Sequence, residues 1–222
     1  TQTYIKPAFF KKCFYHATPS TIYQKKNMEK IPIIQIKKRK ILKKTEEKKT
    51  KYIHIDEILP NTETHQKVYV EDLDGIEKNK PNLDIYQKIA ERHNELWIDQ
   101  GPRTIGDVVD TVMTGAKHVT IRKNLFPEEE IPNLRNIIES KIYILIDHKQ
   151  LKNKQHTFYT TTEDIDGLVL SISKKDIETD FKTSEQIKNI CRKYKVYVRE
   201  AENIHYWEKI GATGLLINIH IK

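Results

Sequence analysis

The residues of this chain with the most chemical potential are carboxylates that close apolar runs, together with a Gly-Pro-Arg turn. "KVYVEDLDG" sets Asp72 and Asp74 at the end of one β-branched run, "KIYILIDHK" sets Asp147 at the end of another, and "LVLSISKKDIETD" places Ser171 and Asp176 in and after a third. Carboxylates held at strand ends can serve as general acid and base, worth roughly 10² to 10⁴ in rate per group. In "ELWIDQGPRT" stand Gly101 and Arg103, and in "HVTIRKN" stand Arg122 and Lys123. A guanidinium such as that of Arg103 can bind an anion. Each residue also has a plainer reading. Asp-Gly makes ordinary turns, Arg103 can pair with Asp99, and Gln35 in "IPIIQIK" suits a polar lid over a core. The nine histidines, His118 and His148 among them, show no metal-ligand spacing, so neither metal nor cofactor is expected.

Something must hold these groups at strand ends. Eight apolar runs begin at Ile31, Lys67, Glu95, Lys117, Lys141, Asp166, Lys195 and Thr213, and helical patterns such as "NLDIYQKIAERH" and "TIGDVVDTVMTG" lie between them. Most of the runs are apolar on both faces, as parallel strands covered by helices require. Gly115 and Gly211 close two of the helical patterns, where a left-handed residue commonly ends a helix. The repeat predicts an α/β fold, a (βα)8 TIM barrel over residues 31–222; an open doubly wound sheet satisfies the same periodicity. The barrel is expected to be shortened, because the chain stops soon after its eighth strand run and supplies no eighth helix. Residues 1–30 form an N-terminal arm carrying Phe9, Phe10, Phe14, Tyr15 and Tyr23. The arm is expected to cover the resulting gap, or to act as a tail that contacts a partner or a second copy of the chain.

Composition narrows the class. The net charge of +8 is concentrated in "KKRKILKKTEEKKTK", residues 37–51, which holds nine basic and two acidic residues. Outside that run the charges nearly balance, so basicity is a local property. On the catalytic face such a run would attract an anionic substrate. Nucleic acid would be drawn through its phosphates, yet no aromatic interleaving or recognition motif accompanies the lysines. A solvated lysine-rich face is the plainest account. Cys13 and Cys191 form no paired motif, and no apolar run reaches the ~18 residues of a membrane helix. A soluble, cytoplasmic protein is expected.

The stretch "VYVEDLDG…NLDIYQKI…WIDQGPRTIGDVVDTVMTGAKHVTIR" resembles the histidine-biosynthesis barrels, ProFAR isomerase and the cyclase subunit of imidazole glycerol phosphate synthase. "ILIDHKQ" is similar to their fifth strand and "KIGATGLLI" to the approach to their eighth, so the resemblance spans roughly residues 31 to 219. It implies a phosphorylated sugar or aminoimidazole ribotide-like ligand and isomerase-type chemistry, in which Asp147 is the strand-five acid or base. The family's strand-one Asp position falls on Gln35, an amide that takes no proton at neutral pH. Asp72, Asp74 or Asp176 would then have to supply the partner group. Arg103, Gly101, Asp74, Ser171, Arg122 and Lys123 would hold the ligand, with charge replacing the glycines that the family's other phosphate turns carry. The same resemblance allows a barrel without activity that serves as a binding or assembly module.

Overall fold

β-branched and aromatic residues along the strand runs leave neither face polar, and the chain folds so that both are covered. The computed structural model describes residues 28–44, 50–55, 67–92, 95–152, 163–172, 181–199 and 203–218. The strands are β1 (Glu29–Lys37), β2 (Lys40–Lys44), β3 (Thr50–Ile53), β4 (Lys67–Asp72), β5 (Glu95–Asp99), β6 (His118–Arg122), β7 (Lys141–Asp147), β8 (Gly167–Ser171), β9 (Val196–Val198) and β10 (Gly214–Asn218). The helices are α1 (Leu73–Lys78), α2 (Leu83–Ala90), α3 (Ile105–Met113), α4 (Ile131–Ile137), α5 (His148–Lys152), α6 (Phe181–Lys193) and α7 (Ile204–Ile210).

β1 and β4 through β10 lie side by side in chain order, and β10 pairs in parallel with β1, Glu29 against Gly214 and Ile33 against Asn218. The sheet therefore closes into an eight-stranded parallel barrel with helices between strands, and the open doubly wound alternative is excluded. All eight predicted runs are strands. Of the arm, only Met28, Glu29 and Lys30 fall among the described residues, and Glu29 and Lys30 already belong to β1.

The Lys-rich run exposes Lys38, Arg39, Lys40 and Lys51, as a solvated face does, and it also forms regular structure. Lys38 and Arg39 adopt left-handed backbone angles, the chain reverses, and β2 pairs antiparallel with the end of β1 while β3 pairs with β2. Ile36 and Ile41, both buried, face each other across the first pairing. Lysine-rich composition hid the apolar residues that make this a hairpin.

The barrel interior is filled by Ile31, Ile33, Tyr69, Trp97, Tyr143, Leu145, Val169, Tyr197 and Leu216. Four of these are large aromatics. The rings of Trp97 and Tyr143 lie 4.1 Å apart, Tyr69 and Tyr197 meet Trp97 edge-on, and the Trp97 indole N–H donates to Thr120 at 2.8 Å. The interior is thus a packed core and not a pore. Two further apolar clusters lie between the strands and the helices. Gly211 ends α7 at φ 98°, which only glycine adopts without strain, and its N–H returns to the carbonyls of Trp207 and Glu208.

Candidate functional site

Because side chains alternate along a strand, the core residues fix which groups reach the barrel mouth. On β4, Tyr69 points inward, so Glu71 does too, and Val68, Val70 and Asp72 face the helices. The same count sends Gln35 of β1, Asp99 of β5, Arg122 of β6, Asp147 of β7, Ser171 of β8 and Arg199 after β9 to the mouth. Gln35, Glu71 and Asp99 lie in one row, paired strand to strand.

These groups form a closed ionic network. Glu71, 2% exposed, accepts hydrogen bonds from the Gln35 amide at 2.6 Å, from Arg122 at 3.1 Å and from both terminal nitrogens of Arg199. Asp99, fully buried, accepts from the Tyr69 hydroxyl at 2.9 Å and from Arg122 through Nε at 2.9 Å and Nη2 at 2.7 Å. Two carboxylates thus meet two guanidinium groups, and forked pairing satisfies each buried charge. Burial opposes the charge of Arg122, but Asp99, Tyr69 and Glu71 outweigh it and raise its pKa. Burial, then Asp99 and Glu71, keep the Tyr69 phenol protonated. Neither arginine is sealed off, with 17% of the Arg122 side chain and 26% of the Arg199 side chain exposed.

Asp147 is half-buried and holds the start of α5. Its carboxylate accepts from the Gln150 N–H at 2.8 Å, and its own N–H donates to the Gln150 side chain at 3.0 Å. Ser171 is its register partner on β8. Both therefore stand at the mouth beside the network, as the sequence placed them. Asp176 lies outside the described residues.

Asp72 and Asp74 are not brought to the mouth. Asp72 faces outward and caps α1, accepting from the N–H groups of Asp74 at 2.9 Å and Gly75 at 3.2 Å. Its carboxylate also accepts from the Asn82 backbone at 2.8 Å, from the Asn82 amide and from the Tyr86 hydroxyl. Burial pushes its pKa up, and these donors pull it back. Asp74 accepts from Asn82 and from the Arg39 N–H, which fastens the β1–β2 turn. The expected catalytic Asp72 is therefore a strut between β4, α1 and α2. Parity is the reason: one step along the strand exchanges mouth for helix layer.

Arg103 is likewise committed to the protein. Its guanidinium donates to the carbonyls of Gly75, Ile76 and Gly101 and to the Asn79 side chain, at 2.8 to 3.2 Å. It closes the C-terminal end of α1, and its expected partner Asp99 is held by Arg122 instead. Gly101 sits buried at φ 67°, and a Cβ there would lie 2.9 Å from the Leu125 side chain and 3.0 Å from the Ile76 Cα. Tight packing, not an open anion loop, accounts for this glycine. Lys123 pairs with Glu128 at 3.1 Å.

Glu71, Asp99, Arg199 and Tyr69 were missed as mouth residues. Successive residues of "KVYVED", "ELWID" and "KVYVRE" must point to opposite faces, but with apolar residues on both faces the sequence does not say which face is inside. No group of three or more His, Cys, Asp or Glu among the described residues could hold a metal ion, and no described helix is long and apolar enough to cross a membrane. No protein-family model and no curated protein sequence matches the chain.

Proposed function

We propose that the barrel mouth binds a small phosphorylated anion, a sugar phosphate or an aminoimidazole ribotide-like molecule. Support comes from one arrangement: two guanidinium groups fixed on buried carboxylates, in side chains that stay partly exposed at the face where barrels of this kind carry their sites. Arg199 and Arg122 are preorganised, so little side-chain entropy is lost on gripping an anion. Asp147 is the acid or base of this reading and Ser171 its neighbour; isomerase-type chemistry would run on that single carboxylate, with Gln35 held by Glu71. The resemblance to the histidine-biosynthesis barrels belongs to the same proposal.

A second reading has its own observation. Gln35, Glu71, Asp99 and both arginines are paired with one another across the mouth. On that reading the barrel is a binding or assembly module without activity, and the basic β2–β3 hairpin is its contact surface.

A thermal-shift series against inorganic phosphate, sugar phosphates and ProFAR separates the two. Ligand at 100 times its Kd stabilises by roughly 2.7 kcal/mol, and each kcal/mol moves the midpoint of a chain this size by about 2–4 °C. The anion reading expects a shift that is lost in Arg199→Gln and kept in Asp147→Asn, with turnover, if the site is catalytic, lost in both. No shift with any phosphate leaves the module reading standing.

A further inference from the structure

The fold sets like charges of the β2–β3 hairpin against each other. In the register of β2 and β3, Lys43 stands directly opposite Lys51, and across the β1–β2 turn Lys37 stands opposite Lys40. Like charges directly opposite on antiparallel strands destabilise the pairing. Lys37 is relieved by Glu77 at 2.8 Å, and Arg39 pairs with Asp84 at 2.6 Å. Lys40 and Lys51 are exposed and have no acidic partner among the described residues. Residues 37–51 hold nine basic against two acidic side chains, so the segment's own acids cannot neutralise it. An arrangement that costs stability in the free chain calls for counter-charge from outside it.

The hairpin presents these charges from a fixed base. Ile41 and Ile55 are buried in the cluster that contains Ile34, Val68 and Ile85, Ile53 packs against it, and the Arg39 N–H donates to Asp74 at 3.1 Å. Side chains alternate along a strand, so seating Ile41 and its register partner Ile53 turns Lys40, Leu42 and Tyr52 to the other face. Tyr52 is 40% exposed, and the Lys38 ammonium stands 5.8 Å from the centre of its ring. The lysine run has no aromatic interleaving as a sequence. Strand pairing supplies it, by carrying Tyr52 back opposite Leu42 and beneath Lys38.

Charge and ring together select the partner. Proteins that hold single-stranded nucleic acid without reading its sequence set cationic side chains along the phosphates and give the bases an aromatic ring to stack on. An anionic lipid surface or an acidic protein segment would meet the lysines but has no base for Tyr52. In a duplex the base faces are already stacked on one another.

We propose that the β2–β3 hairpin binds single-stranded nucleic acid, with phosphates on Lys38, Lys40, Lys43 and Lys51 and a base on Tyr52. The proposal rests on the contact surface of the module reading, names its partner, and does not involve the mouth. The test follows the fluorescence anisotropy of a labelled oligothymidylate of about 12 nucleotides, with the matching duplex, phosphatidylserine vesicles and polyglutamate as competitors. Wild type is compared with Lys40→Glu/Lys51→Glu, Tyr52→Ala, Arg199→Gln and Lys117→Glu/Lys141→Glu, the last making the same charge change at exposed positions beside the first residues of β6 and β7. Binding is expected to weaken at least about tenfold between roughly 50 and 200 mM salt, to be lost in the hairpin double variant, to fall about tenfold in Tyr52→Ala, and to hold within about twofold in the other two. Lys51→Glu alone places opposite charges across the strands, so it should raise the thermal midpoint while weakening binding, which separates lost contact from lost folding. Full binding in Tyr52→Ala, or an equal loss in Lys117→Glu/Lys141→Glu, overturns the proposal. Stronger competition by duplex, vesicles or polyglutamate also overturns it and leaves the hairpin as the contact surface of the module reading with a different partner. No binding of any of these probes removes the hairpin from both.

Discussion

At the mouth of the barrel, Glu71 and Asp99 are buried with every oxygen engaged by Arg122, Arg199, Gln35 or Tyr69; at the base, His118 is as deeply buried with neither nitrogen engaged. Both ends sit on the same aromatic core. The mouth resolves burial by pairing opposite charges, and the base resolves it by discharging the imidazole. An ionic network holds its geometry through many directed bonds, whereas the neutral imidazole is held by its packing on Trp97 and Tyr143.

The largest effect should come from breaking the pairing. Glu71→Ala leaves Arg199 without its carboxylate and Arg122 with one of two, and removing one partner of a buried pair costs roughly 3–5 kcal/mol. Urea unfolding should show a lower midpoint at unchanged slope. A loss below about 1 kcal/mol would mean that water screens the mouth, and the contrast with the base would dissolve.

At the base the expected signature is pH dependence. The folded pKa of His118 is about 4 against 6.5 for the free side chain, so between those values the unfolded chain binds the extra proton. Stability therefore rises with pH through that window. The contribution, on the order of 3 kcal/mol, is complete above pH 6.5 and lost as pH falls to 4. The difference between wild type and His118→Phe, followed by urea midpoints from pH 4 to 7, should carry that slope. A parallel pair of curves would show that His118 is solvated in solution.

The smallest effect sharpens the comparison by exposure. Arg39 pairs with Asp84 at 2.6 Å, but both side chains are more than half exposed. Arg39→Ala should cost no more than about 1 kcal/mol and less in high salt. A cost equal to that of Glu71→Ala would mean that proximity, not burial, sets the strength of these pairs.

The eight barrel strands were legible because a run such as "KIYILID", apolar on both faces, suits a parallel strand covered on two sides. Asp147 and Ser171 were legible as strand ends. The hairpin of β2 and β3 was not, since lysines outnumber Ile36, Ile41 and Leu42 and its pairing depends on two left-handed residues, Lys38 and Arg39. Nor could "EDLDG" and "GPRT" be read correctly from their chemistry. Asp72 and Arg103 have the residue types of a site, but their partners, Tyr86 at 14 residues' remove and the carbonyls of Gly75 and Ile76, are brought to them by packing.

By itself the sequence determined the order of strands and helices, the closure of helices at glycines, and the alternation along each strand, because these depend on local periodicity and backbone preference. Only the tertiary structure decided which face of each strand looks inward. That one choice, made by barrel closure and the packing of Tyr69, Trp97, Tyr143 and Tyr197, sends Glu71 to the mouth and Asp72 to the helices. It also buries His118 on Trp97 and Tyr143, with neither ring nitrogen engaged.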